Sequence, residues 1–271
     1  MTLVPKDATR TECNNMNGTG AVTTLAEVAI AALAAGAQAP PPKTRMAELK
    51  SLCNALVHPD EHRRHMIVAR LVAKGVSVEE IIERYIPEAA RFLGDGWVND
   101  DLTFAEVTVG TSRLQEMVRT FSERYVGRGD TMPLGHNILL CVPEFEDHTL
   151  GVFVAAERFR RAGLWVQLGI GINAYELSGL MKSQQFTMVG ISVSRGKRLA
   201  SVREFVKTVR SGSGSNVPVI LGGSLVDCFD KISECVGADL MSTDPKEAMT
   251  YCGLETKPIS VPADTRSMPY V

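Results

Sequence analysis

After Gly127-Arg128-Gly129-Asp130 the sequence alternates short apolar runs with helix-period segments, and this commits the C-terminal half to a parallel sheet wrapped by helices. The runs read as strands over 137–142, 165–168, 188–192, 218–221 and 239–241. The segments between and after them read as helices over about 151–162, 174–184, 198–211, 224–236 and 245–252. Parallel strands need such crossovers, so a Rossmann-like, doubly wound, five-stranded sheet is expected.

Upstream, residues 45–127 read as helices throughout. Met46, Leu49, Leu52, Cys53 and Leu56 recur at three- and four-residue spacing. A second helix is expected from near Pro59 to Gly75, a natural C-terminal stop. Ser77 followed by Glu80, and Thr103 followed by Glu106, each read as a capped helix start. The fourth helix should run to about Tyr125. Four helices with short connections make an antiparallel bundle the economical architecture. The expected class is therefore α plus α/β: a four-helix bundle over 45–128, then an α/β domain over 135–255.

Residues 1–44 read as a mobile N-terminal tail with a Pro40-Pro41-Pro42 linker, and 256–271 as a C-terminal tail. An Ala-rich helix over 25–37 is marginal by itself. Its apolar core and Ala37-Gln38-Ala39 imitate a signal peptide, but the long upstream segment carries Asp7, Glu12 and Glu27. That apolar core is also too short to span a bilayer. Twenty-nine Lys and Arg against 31 Asp and Glu disfavour direct binding of nucleic acid. Six scattered cysteines without a Cys-x-x-Cys pair argue against a zinc site or disulfide framework and fit a reducing cytoplasm.

Chemistry gathers where the strands end, which is where open α/β sheets bind ligands. The first strand leads into Glu146-Asp147-His148-Thr149-Leu150-Gly151, the third ends at Ser192-Val193-Ser194, and the fourth reaches Gly222-Gly223. His148 is the candidate metal ligand, since a neutral imidazole is the commonest one in proteins. A carboxylate at Glu146 can fix its tautomer and raise its basicity. The serines offer hydroxyls, and the glycines admit close approach to backbone. Taken singly, each has a plainer reading: a surface histidine, a turn before a helix.

Together these residues resemble the cobalamin-binding domain family, whose Asp-x-His-x-x-Gly, Ser-x-Leu and Gly-Gly motifs occur in this order at these strand ends. The resemblance implies cobalamin, as adenosylcobalamin or hydroxocobalamin, held base-off and His-on. His148 would be the lower axial ligand, Glu146 its supporting partner and Gly151 the close-packed start of the following helix. Asp147, Thr149 and Leu150 complete the loop. Ser192, Val193, Ser194, Gly222 and Gly223 would line the channel for the displaced base, with Ser192 the better fit. This sequence has Glu where the family has Asp, and Ser194 where it has Leu.

The bundle adds to the resemblance. Leu93-Gly94-Asp95-Gly96-Trp97 with Leu102-Thr103-Phe104-Ala105-Glu106 looks like the Trp-containing segment of cobalamin-dependent photoreceptors, which places Trp97 over the upper ligand. Those proteins have a Glu-His pair after it, and here Val107-Thr108 stand at the aligned positions. A bis-histidine photoproduct is not implied. His58 and His62 share a face only if Pro59 begins the helix, and a solvated face is the simpler reading. The run Arg195, Lys197, Arg198, Arg203, Lys207 and Arg210 likewise reads as the wet side of a helix whose buried side is Leu199, Val202, Phe205, Val206 and Val209.

A tail, a bundle and a cobalamin domain, with neither winged helix nor catalytic barrel, resemble the AerR/PpaA antirepressors of photosynthesis genes in purple bacteria. That family is non-enzymatic. It binds a DNA-bound repressor of the CrtJ/PpsR type and responds to light through its corrinoid. A corrinoid carrier subunit of a methyltransferase system has the same layout, and a haem-binding sensor on this fold is a further alternative.

Overall fold

The computed structural model describes residues 43–122, 135–194, 199–212, 217–224, 236–254 and 256. The readings placed on the N-terminal tail, on a helix over 224–236, on Tyr125 and on Arg195, Lys197 and Arg198 lie outside them.

The helical part contains α1 (Lys43–Val57), α2 (Glu61–Ala73), α3 (Val78–Glu80), a π turn (Ile81–Tyr85), α4 (Ile86–Val98) and α5 (Phe104–Ser122). Their apolar stripes meet in one core: Leu52 and Leu56 from α1, Leu71 from α2, Ile81, Ile82 and Leu93 from the third rod, and Leu114 and Phe121 from α5. Both expected caps form. Glu80 donates its backbone N–H to Ser77 Oγ at 3.1 Å, and Thr103 exchanges hydrogen bonds with Glu106.

Two details differ from expectation. α2 does not begin at Pro59, because Asp60 is the residue whose side chain accepts from the His62 backbone N–H, at 2.9 Å. His58 stays in the connection and His62 is exposed, so they form no shared ligand face. The third rod, expected as one α-helix, contains the π turn at Ile81–Tyr85.

The second part is a parallel sheet of β1 (Asn137–Pro143), β2 (Trp165–Ile172), β3 (Met188–Ser192), β4 (Val219–Gly222) and β5 (Leu240–Met241), in the order β2-β1-β3-β4-β5. Helices α6 (Leu150–Arg161) and α9 (Pro245–Tyr251) cover one face, where Val152, Ala156, Phe159 and Ala248 meet Ile138, Leu140 and Val142. Helices α7 (Ala174–Ser183) and α8 (Leu199–Gly212) cover the other, where Leu177, Val202, Phe205 and Val206 meet Leu139, Cys141 and Ile191. The central strand β1 is buried on both faces, which is why it reads as an unbroken apolar run.

β2 runs to Ile172, beyond the expected end at Leu168. Gly171, at φ 65°, takes up a register shift against Val142 and Pro143 and carries the strand through the irregularity. β3 and β2 both pair with β1 while their chains continue away from it, so the sheet reverses direction at β1. Ligands of such sheets sit at that reversal, beyond the C-terminal strand ends.

Two further sequence readings land within the described residues. α8 buries Val202, Phe205, Val206 and Val209, while Lys207 pairs with Glu204 at 2.7 Å. Arg210 is structural, bonding Asp239 and the Val217 carbonyl. Among the described residues no helix is long and apolar enough to cross a membrane.

Candidate functional site

The loop from β1 into α6 carries the site. Glu146 turns inward, its side chain only 2% exposed, while His148 is 61% exposed. Glu146 Oε1 accepts the backbone N–H of His148 at 2.8 Å and lies 2.6 Å from His148 Nδ1. Oε2 accepts the backbone N–H of Ser194 at 2.7 Å and its hydroxyl at 2.8 Å. One carboxylate thus ties the end of β1 to the end of β3.

Burial opposes ionisation of Glu146, but the His148 side chain, the two backbone N–H groups and the Ser194 hydroxyl outweigh it and bring its pKa down to about 2. An ionised carboxylate only accepts, so the facing Nδ1 of His148 carries the hydrogen. In the neutral ring Nε2 then keeps its lone pair, and it has no hydrogen-bond partner among the described residues. The result is an oriented, open imidazole nitrogen. Among the described residues no group of three His, Cys, Asp or Glu gathers to hold a metal. A single imidazole suits a metal that arrives with its other ligands in a macrocycle.

Glu146, at the position of the aspartate in the motif it resembles, reaches both His148 and Ser194. Ser194 is the serine of this polar centre, sitting 2.8 Å from His148 Nδ1. Ser192, favoured from the sequence, stays in the ladder opposite Gly222. Val193 between them is buried in the sheet core.

Gly151 is not close-packed. It is exposed, and a Cβ there would meet nothing within 4 Å, so its missing side chain leaves open space beside the histidine loop. Thr149 precedes α6, and its Oγ1 accepts from Gln115 Nε2 of α5 at 2.8 Å. Leu150 packs onto the bundle core, and Asp147 is exposed. The Gln115 contact joins the bundle to the residue next to His148. Nothing in the sequence signals it, because 34 positions separate the partners.

Gly223 lies at φ 91°, and a Cβ on it would come within 2.9 Å of the Val193 nitrogen and closer still to the Val193 carbonyl oxygen. The glycine is required by the approach of the two strand ends. Gly223→Ala is expected to cost about 2–4 kcal/mol through backbone strain and displacement of the β3 end. Chemical denaturation measures this, and an unchanged midpoint would contradict it.

On the bundle, Trp97 ends α4 at 36% exposure, edge-on to Phe104 with ring centroids 6.2 Å apart. Phe104 is 70% exposed, and Val109 is exposed on the same helix. Trp97 is thus half-open beside another exposed aromatic ring.

The chain is 35% identical over 172 residues to an uncharacterized 20.5 kDa protein in the bchF-crtJ intergenic region of Rhodobacter capsulatus, covering 64% of this chain and 90% of that one. The chain belongs to that protein's family. This agrees with the AerR/PpaA-type resemblance read from the motifs. No family model matches the sequence. Among solved structures, the monomethylamine corrinoid protein of Methanosarcina barkeri superposes with a TM-score of 0.61 at 13% identity, covering 76% of this chain and 97% of that one. That likeness shows a shared fold: a helical part followed by a Rossmann-like sheet.

Proposed function

We propose that this protein binds cobalamin base-off, with His148 as the lower ligand, and acts as a light-responsive regulator rather than an enzyme. Its partner would be a DNA-bound repressor of the CrtJ/PpsR type controlling photosynthesis genes. The observation that carries the cofactor reading is the His148 ring, locked at Nδ1 by Glu146 and open at Nε2, at the reversal point of the sheet. The reading of the output rests on the family relative encoded between bchF and crtJ.

Each residue then has a part. His148 supplies the nitrogen, Glu146 orients it, and Ser194 holds Glu146. Asp147, Thr149, Leu150 and Gly151 shape the rim. Ser192, Val193, Ser194, Gly222 and Gly223 border the region beyond the β3 and β4 ends, where a displaced base would enter. Trp97 and Phe104 offer an apolar cover for the upper face. When bound, adenosylcobalamin would supply a light-labile cobalt–carbon bond. For light to change partner affinity, the bundle and sheet domain must contact the repressor differently in two arrangements.

The test is reconstitution with cobalamin and with haem, spectra before and after illumination, and capture of the repressor in dark and light. A corrin spectrum that changes on illumination, with repressor recovery differing several-fold between the two conditions, is the expected result. Equal recovery would defeat the photoreceptor mechanism while leaving the cofactor intact. Haem uptake with no cobalamin uptake would defeat the cofactor, and cobalamin-dependent methyl transfer to a partner enzyme would favour the carrier.

A further inference from the structure

Glu157 takes no part in the site above, yet it is fully buried at 0% exposure. Leu150, Phe153 and Val154 of α6 pack onto the bundle core. At helical spacing, Glu157 and Arg161 continue that same stripe. Neither oxygen of Glu157 has a hydrogen-bond partner, and Arg161 Nε, 3.9 Å from Oε1, has none either. The hydroxyl of Ser122 at the end of α5 favours the charged form, but its geometry falls short of a hydrogen bond.

Arg161 is turned toward the bundle instead. Its outer nitrogen bonds Glu83, which Arg158 Nε approaches to 3.8 Å, while Arg158 also bonds Asp244 at 2.9 Å. Glu83 lies in the π turn of the third rod, where the ladder is locally wider. The bundle therefore grips α6 through Glu83 directly beside a carboxyl that it leaves without donors.

We propose that the bundle and the sheet domain meet across a proton-sensitive clasp, which closes on α6 with Glu157 protonated and loosens when Glu157 ionises. A carboxylate buried without donors is costly, and either protonation or entry of water relieves the cost. The charged groups around it are Arg160 and Arg161 on its own helix and Glu79 and Glu83 on the opposing rod. Burial dominates and raises the Glu157 pKa, with Ser122, Arg161 and Arg160 opposing and Glu79 adding to the rise. The closed form is then favoured fully below the ordinary carboxylate range, and the advantage disappears as pH rises through the raised value. Closure, and with it the Gln115 contact to Thr149, is coupled to one proton. The clasp needs no bound cofactor.

Hydrogen exchange on the full chain between about pH 5 and about pH 8, corrected for intrinsic exchange, tests it. Protection at the end of α5 and along α6 should fall by up to about tenfold per pH unit between the ordinary carboxylate range and the raised pKa and level off above it, while β1 and β3 stay protected. In Glu157→Gln the profile should be flat and should match or exceed the wild type at the upper end. Glu157→Met, apolar and of similar length, should behave the same way. The clasp is overturned if the wild-type profile is flat, if both variants keep its slope, or if the fall extends equally to β1 and β3. Loss of protection at every pH in both variants would make Glu157 a charged partner of Arg161, and would overturn it as well.

Discussion

Replacing Glu146 by alanine is expected to destabilise the protein by about 2–4 kcal/mol and to free the His148 ring. Two groups on each side, from His148 and from Ser194, lose their acceptor at once. The pH dependence gives an independent check. The Glu146 pKa falls from 4.5 to about 2 in the folded protein, a shift that corresponds to about 3 kcal/mol. That stabilisation is fully present above the ordinary carboxylate value and is lost as pH falls toward about 2. Denaturation of wild type and Glu146→Ala should therefore differ most at neutral pH and converge as pH drops below 4.5. A difference that persists unchanged into acid would mean that the carboxylate is not what joins the two strand ends.

Glu146 also shows how far the sequence could be read. Its partnership with His148 was legible, because the two residues share a loop and a carboxylate two positions from an imidazole is a familiar support. Its second partner was not. Ser194 is 48 positions away, and choosing between Ser192 and Ser194 depends on how far each stands past the last ladder pair. The motif pattern favoured Ser192 because it stands where the family has its serine. Ser194 is the serine that bonds Glu146, a contact the motif pattern does not carry.

The same division runs through the fold. Strand and helix order was readable from apolar runs and capping pairs such as Ser77 with Glu80, which act within one turn. The π turn at Ile81–Tyr85, the shift at Gly171 and the contact between Gln115 and Thr149 arise from packing between distant segments. Local periodicity carries no trace of them. Gly151 is the opposite case: a role inferred from the motif, close packing, is absent, and the open space it leaves suits the mouth of a ligand site better.

Whether the nitrogen of His148 binds cobalt is best measured by electron paramagnetic resonance of the protein loaded with cob(II)alamin after labelling its histidines with nitrogen-15. Ligation by the protein should turn the nitrogen superhyperfine pattern from a triplet into a doublet. His148→Ala should lose the labelled pattern and weaken cobalamin binding by more than the roughly 10–100-fold typical of losing a supporting partner of a metal ligand. A triplet that ignores the label, or a doublet that survives His148→Ala, would contradict His148 as the lower ligand.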